Sequence, residues 1–168
     1  MAWVKWIKLI RVVEQPFLGY WQARDYFRWD HRLGEPTLVP LSEMEVKAQI
    51  ARPVSGEHLI TGRPYRIFGA AWSGEAAIQQ VQVCTGDGQG WREARLLDPE
   101  RSYAWRLWES IWTPEQVGRH ILRCRAIDGA ARVQPDLQRS DCESYAANWI
   151  IPVEVAVVPE PPTDEFAI

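Results

Sequence analysis

The sequence predicts an all-β fold, an antiparallel sandwich preceded by a strand and an irregular extension, and three observations carry that prediction. Past Val46, short stretches of alternating apolar and polar residues recur with turn residues between them. β-Branched and aromatic side chains, which suit a pleated and half-buried surface, are concentrated in those stretches. The segment Tyr103-Ala104-Trp105-Arg106-Leu107-Trp108-Glu109-Ser110-Ile111-Trp112 holds three tryptophans in ten residues and, read at a period of two as a strand, sets large apolar side chains on both faces.

Residues 3–13 alternate apolar side chains with Lys5 and Arg11 and are rich in β-branched residues, so they read as a strand. Residues 14–45 combine Pro16, Gly19, Gly34, Pro36 and Pro40 with the aromatics Phe17, Tyr20, Trp21, Tyr26, Phe27 and Trp29. That punctuation breaks any single helix or strand, and the aromatic content is too high for a disordered linker. The segment is predicted to be a long ordered loop that packs against something.

Strands are predicted near 46–51, 58–62, 65–73, 76–84, 90–97, 104–112, 119–128 and 148–158, a spacing that suits a sandwich. The clearest hairpin joins Val81-Gln82-Val83-Cys84 to Trp91-Arg92-Glu93-Ala94 through a turn containing Gly86, Gly88 and Gly90, residues that accept positive φ. Near 119–128, Leu122, Cys124 and Ala126 are expected to face inward, and Arg123 and Arg125 the other way. Pro152 cannot donate a ladder hydrogen bond and so places the last strand at a sheet edge. Residues 159–168 open on Pro159-Glu160-Pro161-Pro162 and are expected to be disordered.

Within 104–112, Trp105, Leu107 and Ile111 point one way and Trp108 and Trp112 the other, so both faces are large and apolar. The expectation is that Trp105 fills the core while Trp108 and Trp112 wait for a partner; the alternative is that all three fill one core. Trp105, Arg106, Trp108 and Trp112 are accordingly the candidate interface residues.

A domain of about 150 residues buries roughly 68–70% of its unfolded surface, so a chain of 168 residues can form one domain with its own core. Ten tryptophans are several times the usual share, and they are costly to leave in water. A net charge of −3 without a long basic run argues against nucleic acid. No apolar run approaches the ~20 residues that cross a bilayer, and no export signal is legible, so no membrane partner and a cytoplasmic location are expected.

Cys84, Cys124 and Cys142 are odd in number and far apart, without the spacing of a zinc site or a disulfide framework; they read as inert reduced thiols, with Cys124 buried. The histidines, His31, His58 and His120, form no nucleophilic or metal-ligating signature. Gly86-Asp87-Gly88-Gln89-Gly90 lacks the lysine and following helix of a phosphate loop and reads as a hairpin turn. Glu93, Asp98 and Glu100 read as solvated charges, and Glu109 as an ion-pair partner. No catalytic residue and no metal ligand is expected.

Several strings occur in an order that carries a resemblance: Gly69-Ala70-Ala71-Trp72-Ser73-Gly74, Val81 through Trp91, Tyr103 through Glu109, Cys124-Arg125-Ala126-Ile127-Asp128, Val133-Gln134-Pro135 and Asn148-Trp149. Over about residues 44–158 the chain resembles the C-terminal dimerisation domain of the sulfite oxidase family of molybdenum-cofactor oxidoreductases. The resemblance implies an immunoglobulin-like β-sandwich for 46–158 and, for 1–45, a remnant of the family's cofactor-binding domain, through Val4-Lys5-Trp6-Ile7, Gly19-Tyr20-Trp21-Gln22 and Asp25-Tyr26. By that likeness Trp3, Val4 and Lys5 occupy positions that touch molybdopterin. The cofactor belongs to the full-length family; the cysteine that ligates its molybdenum has no counterpart in this sequence, so this chain alone is expected to bind none.

A second departure concerns an arginine that the family's sandwich domain often lends to the active site. In this chain the region reads Ser140-Asp141-Cys142-Glu143, with Cys142 at about that position and Arg139 out of register. Cysteine and its acidic neighbours cannot hold an oxyanion by paired charge-assisted hydrogen bonds, so this segment gives sulfite no support as a substrate. The expected function is that of a dimerisation domain, as a fragment or split subunit that is not catalytic alone. Its partners are a second copy and an upstream cofactor-domain subunit. The alternative is an immunoglobulin-like module that binds protein or carbohydrate through exposed aromatics.

Overall fold

The computed structural model describes residues 5–17, 19–30, 34–74, 76–86, 90–138 and 146–160. The chain divides into two compact units, Met1–Leu41 and Ser42–Ile168. Among the described residues, no helix is long and apolar enough to cross a membrane.

In the first unit, residues 5–13 form no strand, contrary to the alternation. Extended structure persists only where a neighbouring strand takes up its backbone N–H and C=O groups. Among the described residues no strand pairs with this segment, and Trp6 breaks the extended run with a φ of 59°. The segment predicted as one long loop also holds a helix, α1 (Tyr20–Arg24), and a hairpin, β1 (Phe27–Asp30) with β2 (Thr37–Pro40). Helix α1 closes when the N–H groups of Asp25 and Tyr26 both donate to Trp21 O, at 2.9 and 2.8 Å. The hairpin pairs Phe27 with Pro40 and Asp30 with Thr37, and Phe27 and Trp29, two residues apart, meet edge to face at 6.0 Å. Elements of four and five residues are too short for a periodicity to show in sequence.

The second unit is an immunoglobulin-like sandwich of β3 (Lys47–Arg52), β4 (His58–Ile60), β5 (Tyr65–Trp72), β6 (Ile78–Cys84), β7 (Arg92–Glu93), β8 (Arg95–Leu96), β9 (Arg106–Trp112), β10 (Gly118–Asp128) and β11 (Val153–Val158). One sheet has the order β4-β11-β10-β6-β7 and the other β3-β5-β9-β8. Every pairing is antiparallel except that of β4 with β11. The predicted strand at 90–97 is divided between the sheets: β7 pairs with β6, and β8 with β9. Ala94 at the crossing is buried and donates its N–H to Val81 O at 2.8 Å, so the chain changes layers without stranding a donor.

The core between the sheets is built from Ile50, Ile67, Val81, Leu122 and Val155, among others, all buried. Each such side chain stabilises the fold by roughly 1.5–3 kcal/mol. Strand β10 follows its predicted pattern, with His120, Leu122, Cys124 and Ala126 inward and Arg119, Ile121 and Arg123 outward. The β6–β7 hairpin has the expected register, Gln82 opposite Glu93, and Gly86 at its start has φ +73°. Its turn residues 87–89 lie outside the described residues.

The edge position predicted from Pro152 is corrected. Strand β11 begins at Val153 and lies inside its sheet, antiparallel to β10 and parallel to β4. Pro152 precedes the ladder, so its missing N–H costs no strand bond. Residues 161–168, most of the tail expected to be disordered, lie outside the described residues.

Two polar devices tie the layers together. The Gln134 side-chain oxygen accepts from the N–H of Ala48 in β3 at 2.7 Å and of Ala126 in β10 at 3.2 Å, and its Nε2 donates to Ala48 O at 3.3 Å. Buried Asp128 accepts from the N–H groups of Ala130 and Arg132, both at 3.0 Å, from Arg132 Nε at 2.8 Å and from Ser73 Oγ at 3.0 Å.

Candidate functional site

Strand β9 carries the four candidate interface residues at and beside its length, and the structure reverses the expected assignment of its faces. Trp108 is 0% exposed and Trp112 3%, both within the core, while Trp105 is 72% exposed. The two faces were separated correctly by parity. Which one faces inward is decided by Gly69, Trp108's register partner on β5, whose missing side chain leaves room for the indole. Trp108 and Trp112 therefore offer no side chain to a partner.

Arg106, the fourth candidate interface residue, is committed within the chain. Its Nη2 and Nε donate to Asp98 O at 2.7 and 3.1 Å, and its Nη1 donates to Ile78 O at 2.7 Å. The Asp98 carboxylate, expected to be a solvated charge, accepts from Leu107 N at 2.9 Å. Glu109 is the expected ion-pair partner: Arg95 Nε donates to it at 3.0 Å and Arg66 Nε at 2.6 Å. Arg95 first, then Arg66, hold its carboxyl below the ordinary carboxylate range.

Around Trp105 the surface forms a shallow groove of about 440 Å³, lined by Met44, Trp72, Ser73, Tyr103, Ala104 and Trp105. Tyr103 is 71% exposed and Met44 60%. Sequence reasoning missed Met44, Trp72 and Tyr103 as members of this surface. They come from before β3, the end of β5 and the approach to β9, which only the β3-β5-β9 order brings together. The one signal in the sequence was a tryptophan at the end of each neighbouring strand.

No arrangement suited to holding molybdenum accompanies the groove. Among the described residues, no three histidine, cysteine or acidic side chains cluster as a metal site. Cys124 is buried, and desolvation pushes its thiol up to about 12, so it is not a thiolate. Cys84 is a free, half-buried thiol at the end of β6. Cys142, His31 and the whole of 139–145 lie outside the described residues, as do Trp3 and Val4. Lys5 is exposed. His58 opens β4 at the surface, and buried His120 uses Nε2 toward Gln116 O at 2.8 Å beside the Trp112 ring.

The chain is 30% identical to sulfite oxidase of Gallus gallus over 145 residues, covering 79% of this chain and 31% of that protein. Its fold resembles the sulfane dehydrogenase SoxCD of Paracoccus pantotrophus, with a TM-score of 0.60 and 23% identity, covering 81% of this chain and 36% of that one. The chain thus spans about a third of the length of either protein. A family model described as the Mo-co oxidoreductase dimerisation domain matches residues 39–157. The chain belongs to the Mo-co oxidoreductase dimerisation domain family.

Proposed function

We propose that the second unit of this chain joins two identical copies of a molybdenum-cofactor oxidoreductase of the sulfite oxidase type. The redox centre, on this reading, is supplied by a cofactor-binding domain, in a longer polypeptide or in a separate subunit. The observation that carries the reading is the family match across nearly the whole sandwich, residues 39–157. The chemistry of the described residues supports it from the other side. Buried Gln134 and Asp128 are committed to hydrogen bonds that hold the fold, and the Cys124 thiol is held protonated.

Within such an assembly, Trp3, Val4 and Lys5 are the residues proposed to meet molybdopterin, with the exposed Lys5 ammonium able to donate to an anionic group of the cofactor. The cofactor would supply two-electron redox chemistry at its metal; the sandwich supplies the pairing of subunits. The test is the mass of the purified chain by light scattering, together with its molybdenum content after expression in molybdate-supplemented cells. A mass of twice 19.4 kDa without stoichiometric metal is expected. A monomer at every concentration would overturn the pairing, and bound molybdenum would overturn the division of labour.

A further inference from the structure

We propose that the cavity at the end of the sandwich where β9 turns into β10 binds a small neutral polyol, held by a hydrogen bond to His120. The cavity has a volume of about 310 Å³, at the small end of the range for ligand sites. Trp112, the last residue of β9 in one sheet, and His120, near the start of β10 in the other, line it from the two layers. The connection 113–117 between those strands crosses from sheet to sheet and sets Thr113, Glu115 and Gln116, all exposed, along the rim. Arg92 of β7 forms a further wall. Its register partner Val83 belongs to the core, and residues directly opposite in a ladder share a face, so Arg92 also points between the sheets. Its Nη2 donates there to buried Thr85 Oγ1 at 2.7 Å.

Among the described residues, two buried side-chain polar atoms lack a hydrogen-bond partner, Trp108 Nε1 and His120 Nδ1. Trp108 is sealed in the core, whereas His120, 8% exposed, lines a cavity. Gln116 O can only accept, so His120 Nε2, 2.8 Å from it, carries the proton, and the neutral ring leaves Nδ1 as an acceptor. A buried acceptor without a partner is costly, and a ligand that brings a donor removes the cost. The charges of the lining select a neutral ligand, because an anion would meet Glu115 and a cation would meet Arg92. Ile111 and Trp112 are the apolar part of a lining that is otherwise polar, so an apolar molecule would strip water from polar groups without replacing it. A hydroxyl donates to Nδ1 and keeps an oxygen that accepts from the Thr113 hydroxyl or the Gln116 amide. Adjacent hydroxyls on one small molecule meet several of these groups at once.

The test titrates glycerol, myo-inositol and glucose separately into the 168-residue chain and follows the imidazole nitrogen resonances of His120 by NMR. Polyols raise the melting temperature of any protein by exclusion from its surface, so binding is read from the resonances. At least one polyol is expected to bind saturably and to move the Nδ1 resonance as an accepted hydrogen bond does, with Nε2 little changed. His120→Phe, which removes the acceptor, is expected to raise the dissociation constant, read from backbone amide shifts, on the order of 10-fold or more. Thr113→Trp closes the mouth from an exposed position; it is expected to weaken binding by a similar factor while the ligand-free chain melts as the parent does. Trp105→Ala, in the aromatic groove, should leave the dissociation constant unchanged. A His120 Nδ1 resonance that none of the three polyols moves in large excess overturns the site. Binding that survives Thr113→Trp, or that Trp105→Ala abolishes, overturns its placement, and saturable binding of acetate or methylammonium in place of the polyols overturns the neutral class.

Discussion

Gly69 and Trp108 stand opposite each other in the β5–β9 ladder, and the indole lies so close over the glycine that a Cβ on residue 69 would sit 2.6 Å from Trp108 Cζ2. The same Cβ would also collide with the carbonyl oxygen of Gln49 on β3. A side chain can move aside, but a backbone carbonyl in the next strand cannot. Gly69→Ala is therefore expected to cost at least about 3 kcal/mol, at or beyond the top of the range for overpacked cores. Chemical denaturation would measure it, and a loss below about 1 kcal/mol would show that the sheet yields.

Trp108→Ala empties the largest fully buried side chain of the core and is expected to cost about 3–5 kcal/mol. Trp108→Phe should cost less, because the indole Nε1 is buried without an acceptor and phenylalanine removes that donor. Trp105→Ala, on an exposed residue, should change monomer stability by no more than about 0.5 kcal/mol. Comparable losses at Trp105 and Trp108 would contradict the assignment of faces.

Gln134→Ala withdraws the acceptor shared by Ala48 and Ala126 and leaves two donors unsatisfied between the sheets. Each costs about 1–3 kcal/mol. Hydrogen exchange provides a local readout: the Ala48 and Ala126 amides should lose protection before the β10–β6 ladder does.

The stability of the fold should fall in acid because of Asp128. Burial by itself would raise its carboxyl; the N–H and guanidinium of Arg132 and the hydroxyl of Ser73 outweigh that and hold it below its ordinary value. A depressed folded-state value gives stabilisation that is present above about pH 4, the unfolded carboxyl's range, and is lost as pH falls through the folded one. Asp128→Asn should destabilise by about 1–3 kcal/mol at pH 7. The gap between variant and parent should narrow below pH 4. A gap independent of pH would mean that charge plays no part.

Cys124, with its thiol pushed up to about 12, should resist thiol reagents at pH 8 until the sandwich unfolds, whereas half-buried Cys84 should react sooner. Modification kinetics on Cys84→Ala and Cys124→Ala would separate the two. The raised value means stabilisation that is present below about pH 8.5 and lost as pH climbs toward 12.

Period-two alternation located nearly every strand of the sandwich, because a half-buried strand must alternate, and it sorted the side chains of β9 and β10 into two faces correctly. The ordered motifs identified the family. Tertiary structure decided everything that depends on a neighbour. Parity cannot say which of two apolar faces is inward; Gly69 decides it by leaving space for Trp108. Pro152 suggested an edge, but the parallel partner β4 places β11 inside its sheet. Residues 5–13 alternate like a strand yet form none, since a strand exists only by pairing. The groove of Met44, Trp72, Tyr103 and Trp105 joins residues distant in sequence, and strand order alone makes them one surface.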